Sequence, residues 1–103
     1  MHKILGQLFL LMLSSWYGPW HHGRQTASGE LFDMQALTAA HKTLPFGTRL
    51  RLTNPRNKRT VVVRVNDRGP YVEGRDLDVS QEAARQLDFE SRGLERLEVE
   101  VVQ

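Results

Sequence analysis

The sequence predicts a mainly β fold, a small closed or nearly closed barrel carrying one short helix. Three observations lead there. Strict alternation of apolar and polar residues recurs in short runs, clusters of turn-forming residues separate those runs, and one segment alone has a well-capped helical period. The βαβ rhythm of an open parallel sheet is missing. At 103 residues the chain fits one domain, large enough to bury a core without disulfide staples.

The chain opens with "MHKILGQLFLLMLSS", whose apolar run from Ile4 to Leu13 is broken by Gly6 and Gln7 and is too short to span a bilayer. Its basic start and the small residues Ser14 and Ser15 suit an export signal, and the same run suits an N-terminal strand. Residues 1–13 are therefore set apart as one or the other, with the barrel domain at 14–103. An export signal would carry the protein across a membrane.

"SSWYGPWHHGRQTASGE" reads as a strand end followed by an exposed loop. In "TRLRLT", Leu50 and Leu52 face one way and Arg49 and Arg51 the other, as in a half-buried strand. "NPRNK" supplies a turn, and "TVVVRVN" sets Val61, Val63 and Val65 against Val62 and Arg64, so the pair reads as a hairpin. "DRGP" interrupts the chain again. "RDLDVS" then turns Leu77 and Val79 inward and Asp76 and Asp78 outward. Ser80 is a good N-cap for "QEAARQL", with Ala83, Ala84 and Leu87 as its apolar stripe. The closing "LERLEVEVV" alternates Leu97, Val99 and Val101 against Glu98 and Glu100.

Composition narrows the function. Apolar residues are 40% and charged residues 25%, as in an ordinary globular domain. Fourteen Lys and Arg against 12 Asp and Glu give a net charge of only +2, with the Arg residues scattered, which argues against nucleic acid as a partner. Cysteine is absent, so disulfides, thiolate nucleophiles and zinc ribbons are excluded.

The sharpest candidate site is "TASGELFDMQALTAAH", where Glu30, Asp33 and His41 stand among small and apolar residues with no other charge. A carboxylic acid tuned by a second carboxylate and a histidine suits acid–base work on a glycosidic bond. The bland reading makes Glu30 and Asp33 loop residues and His41 a cap, and the stretch also suits a short helix. Spacing leaves this open. His21, His22 and His41 lack the spacing of metal ligands, so no metal and no cofactor is expected. Trp16, Tyr17 and Trp20 offer faces for stacking on sugar rings or bases, or Trp16 and Tyr17 serve the core. Asp67 in "NDRGP" reads as a turn residue, whereas Asp78, in a strand just before a helix, is held rigidly enough for a catalytic acid.

"SSWYGPWHHGRQTASGELFDMQALTAAHKTLPFGTRLRLTN", "VVVRVNDRGPYVEGR" and "LDVSQEAARQL" together resemble the rare lipoprotein A (RlpA) family of bacterial cell-wall proteins, from Ser14 to about Val101. The resemblance implies a six-stranded double-psi β-barrel and a septal lytic transglycosylase acting on peptidoglycan glycan strands, preferably those free of stem peptides. It implies catalytic roles for Glu30, Asp33 and His41, and, through related barrels such as membrane-bound lytic transglycosylase A, for Asp78. The mechanism expected on this basis uses Glu30 as acid then base, its pKa raised by the like charge of Asp33. His41 positions it, while Trp16, Tyr17, Asp67 and Arg68 line the glycan groove. Partners expected are peptidoglycan and cell-division or envelope proteins, with the chain a monomer without a stable membrane span. The alternative is a non-catalytic glycan-binding module.

Overall fold

A computed structural model describes residues 10–102 of the chain. It contains β1 (Leu10–Tyr17), a 3-10 turn (Pro19–His21), β2 (Thr38–His41), β3 (Arg49–Thr53), β4 (Thr60–Asp67), β5 (Leu77–Ser80), α1 (Gln81–Gln86) and β6 (Glu95–Val101). The six strands close into a barrel in the order β1-β5-β2-β4-β3-β6. Two pairings are parallel, β1 with β5 and β2 with β4, and the other four are antiparallel.

The alternation read in β3 and β4 fills the barrel: Leu50, Leu52, Val63 and Val65 are each at most 1% exposed. Leu77 and Val79 of β5 join them, and α1 closes one side with Ala83, Ala84 and, at its C-cap, Leu87. The Ser80 hydroxyl accepts from the Ala83 amide as the cap requires, and it donates to the Ala36 carbonyl. One side chain thus starts the helix and fastens a loop.

Three features depart from the alternation. Glu100 is buried because Arg51 on the neighbouring strand reaches it at 2.8 Å, and Val101 is exposed at the open barrel end. Thr38–His41 is a strand although "ALTAA" favours helix, because two small alanines let β2 insert between β5 and β4. β1 crosses the boundary drawn at residue 14, since Leu10 to Leu13 pair along β6. The rest of the segment read as an export signal, residues 1–9, lies outside the described residues. Among the described residues no helix is long and apolar enough to cross a membrane.

Candidate active site

One outer face of the barrel is polar, and the strand register explains how. Ser15 on β1 stands opposite Asp78 on β5, Asp78 opposite Ala40 on β2, and Ala40 opposite Asp67 on β4. Asp67 reaches this row through a bulge: Ala39 pairs with Val65 but Ala40 pairs with Asp67, so β4 carries one extra residue, Asn66. A neighbouring row places Tyr17 opposite Ser80 and Thr38 opposite Arg64. The face therefore carries two carboxylates flanking a small residue.

Residues 18–37 fold over this face. Phe32, 2% exposed, stacks on the Tyr17 ring at 4.4 Å and packs with Ala40. The "TASGE" turn closes on itself, with the Thr26 amide and hydroxyl both donating to the Glu30 carbonyl, at 2.7 and 2.8 Å. Gly29 takes φ 98°, a conformation most side chains resist. The turn docks on the bulge, where the Ala27 amide donates to Asp67 Oδ1 at 2.9 Å and the Ser28 amide to the Asn66 carbonyl. Glu30 is delivered onto β4. Its carboxylate accepts from both terminal nitrogens of Arg64, at 2.5 and 3.1 Å, and from Asn66 Nδ2 at 2.9 Å.

These contacts reverse the expected tuning of Glu30. Hydrogen bonds from Arg64 and then Asn66 hold its carboxyl below the usual range, so it stays ionised where a general acid must be protonated. Asp78 moves the other way. Burial pushes its pKa up, and the nearby Asp67 adds to the rise; the Ser15 hydroxyl at 3.0 Å, His21 and Arg75 oppose it. The carboxylate environments suited to an acid and to a fixed charge are both present, with the residues exchanged.

The other expected residues scatter. Asp33 is exposed and caps its own turn through Oδ1 and the Gln35 amide. His41 follows Ala40 on β2 and so faces the opposite side, where Nδ1 accepts from the Thr43 and Leu44 amides, both at 3.1 Å. There it borders an apolar cleft of about 360 Å³ between Met12, Leu44, Leu50 and Val99. Burial, then Lys42 and Arg68, lower the His41 pKa. Strand alternation thus turns His41 away from the side that Ala40 faces, and among the described residues no hydrogen bond joins Glu30, Asp33 and His41 to one another. Trp16 packs against the main core and its indole N–H donates to the Glu90 carbonyl at 3.0 Å, which takes it out of any groove. Arg68 clamps the loop after β2 through the His41 and Leu44 carbonyls and lies 4.0 Å over the Phe46 ring. Asp67 is a turn residue, accepting also from the Arg68 amide, and at the same time a member of the polar row.

Sequence reading passed over Ser15, Arg64 and Asn66, although Arg64 already shows on the outward side of the β4 alternation. It also passed over Tyr71, 77% exposed after β4, whereas Trp20, read with Trp16 and Tyr17 as a stacking face, is 81% exposed on the turn after β1. Among the described residues no three His, Asp or Glu side chains converge as a metal site would require.

Residues 12–99 match the family model described as lytic transglycolase. The probable endolytic peptidoglycan transglycosylase RlpA of Synechocystis sp. is 55% identical over 91 residues, 88% of this chain and 28% of that protein. The chain belongs to the RlpA family. The endolytic peptidoglycan transglycosylase RlpA of Campylobacter jejuni is 51% identical over 87% of this chain and 33% of that protein. This RlpA-family chain thus spans about a third or less of the length of these two relatives. Its barrel also superposes on Streptomyces papain inhibitor, with a TM-score of 0.74 at 22% identity over 93% of this chain and 96% of that one. Apo Clavibacter michiganensis expansin gives 0.72 at 24% identity, over 93% and 51%. The fold is the double-psi β-barrel of these proteins, as the sequence resemblance implied.

Proposed function

We propose that this chain cleaves peptidoglycan glycan strands as an endolytic lytic transglycosylase, between N-acetylmuramic acid and N-acetylglucosamine, on peptide-free strands in the bacterial envelope. The observation that carries the reading is a single polar face with two carboxyls tuned in opposite directions, Asp78 towards the protonated form and Glu30 towards the ionised form. Asp78 donates its proton to the glycosidic oxygen as the bond to the muramyl C1 breaks. The muramyl 6-hydroxyl then closes on C1 and returns its proton to Asp78, which ends as it began. No water is consumed. Positive charge grows at C1 in between, and the fixed negative charge of Glu30 favours it. The names of the family relatives support the same reaction.

Incubation with peptide-free glycan strands followed by product mass tests the proposal. Fragments ending in a 1,6-anhydro sugar, at a rate unchanged by chelator, are expected. Fragments with reducing ends would identify a hydrolase. Binding without any cleavage would leave the glycan-binding module.

Trp20, on the 3-10 turn after β1, and Tyr71, on the segment after β4, are exposed rings suited to stacking on sugars. Trp20→Ala and Tyr71→Ala are each expected to raise KM about threefold to tenfold, the worth of one stacked ring, with kcat little changed. Unaltered KM values in both variants would move the glycan off this face.

A further inference from the structure

Tyr17 is 8% exposed, stacked on Phe32 and edge-on to His21 at 5.3 Å, and its hydroxyl is buried without a hydrogen-bond partner. A phenylalanine would fill the same space without leaving a polar atom unsatisfied, so the hydroxyl is a cost to the fold. Tyr17 packs against Ala40, which has Asp67 on the strand to one side and Asp78 on the strand to the other; burial first, and then these two carboxylates, push the phenol pKa up. Each carboxylate has an oxygen to spare. Asp67 Oδ1 takes the Ala27 and Arg68 amides and Asp78 Oδ1 takes the Ser15 hydroxyl, while among the described residues neither Oδ2 accepts a hydrogen bond.

We propose that Tyr17 is a positioning residue that joins the two carboxylates, its hydroxyl donating towards Asp67 while its lone pairs receive the proton carried by Asp78. The polarity follows from the phenol having a single proton, which turns to the carboxylate already fixed as an acceptor by two backbone amides, that of Asp67. Closing the gap through one buried water keeps the same direction, because every member of the chain donates towards Asp67. Neutral Asp78 gains an acceptor that its ionised form cannot use. The proton is stored beside the polar face until a glycosidic oxygen takes it, and Ser15 remains to steady the carboxylate left behind. This deepens the proposed function and rests on Asp78 being its acid.

The test is a carboxyl carbon NMR titration of the free protein, wild type against Tyr17→Phe, with Asp78→Asn used to assign the signal. Ser15 from β1, His21 from the 3-10 turn, Arg75 before β5 and Asp67 from β4 also face Asp78, and Tyr17→Phe leaves all of them in place. The Asp78 midpoint is expected to fall by about half to one pH unit, the equivalent of one lost neutral hydrogen bond. Glu30, held by Arg64 and Asn66, keeps its own midpoint. An Asp78 midpoint that is unchanged or higher in folded Tyr17→Phe overturns the proposal. Should that variant not fold, the wild type decides: the Tyr17 ring carbon bearing the hydroxyl must shift as Asp78 titrates, and a flat response overturns the proposal equally. Because no glycan is present, a titration as expected beside a failure to cleave strands would sink the transglycosylase reading alone.

Discussion

Asp78→Asn is expected to lower kcat on peptide-free glycan by about a hundredfold to ten-thousandfold, the range for losing a general acid, and also to raise the melting temperature at pH above the folded pKa of Asp78. The two effects have one origin. Asp78 lies against the barrel wall, and burial makes its ionised form unfavourable in the folded state relative to the unfolded chain. A folded pKa above the unfolded one contributes stability that is fully present below the unfolded value. That contribution is lost as pH rises through the folded value. Above the folded value the wild type has lost it, and an uncharged asparagine, still within reach of the Ser15 hydroxyl, never incurs the loss. Wild type and variant should therefore converge in melting temperature as pH falls below the ordinary carboxyl range. Thermal melts across pH, run beside the cleavage assay, check both halves. A variant that is inactive and also less stable would mean that Asp78 holds the barrel together rather than storing a proton.

The parts of this site legible in the sequence are those set by local pattern. Leu77 and Val79 inward leave Asp78 outward, and Ser80 marks where the strand becomes a helix, so the proposed acid and its rigid setting are visible from the local pattern. The hairpin of β3 and β4 is equally local. What pattern cannot carry is pairing between distant strands. Ser15 meets Asp78 across 63 residues, and the insertion of β2 between β5 and β4 is invisible in "TAAH", whose alanines read as helix formers. The bulge at Asn66 could not be foreseen, yet it turns Asp67 onto the polar face. Missing these, a reading along the chain joins Glu30, Asp33 and His41 because they are close in sequence, although Ala40 and His41 face opposite sides. The family resemblance supplied the barrel and the proposed reaction but could not supply the tuning of Glu30, which depends on Arg64 and Asn66 of β4.

Glu30→Gln separates the two carboxyl roles. Its expected cost is about tenfold to a hundredfold in kcat, below that of Asp78→Asn, because a fixed charge that favours a developing cation is lost while the proton donor remains. The pH dependence carries the sharper distinction. The proposed mechanism requires Asp78 protonated and Glu30 ionised, so the wild-type profile should fall on the alkaline side at a value above the ordinary carboxyl range. On the acid side it should fall at a value below that range, leaving a plateau between. In Glu30→Gln the acid limb should vanish, the remaining activity persisting as pH drops, and the alkaline limb should stay where Asp78 puts it. The reverse outcome, loss of the alkaline limb with the acid limb intact, would make Glu30 the proton donor. Stability should change little, since the Glu30–Arg64 pair lies largely in solvent, with side chains 43% and 44% exposed, where such pairs contribute weakly. Whatever stability the pair does contribute is present above the unfolded carboxyl pKa and lost as pH falls through the lowered folded value. A small deficit of Glu30→Gln in melting temperature should accordingly close in acid, while the wild type loses its activity there and the variant does not.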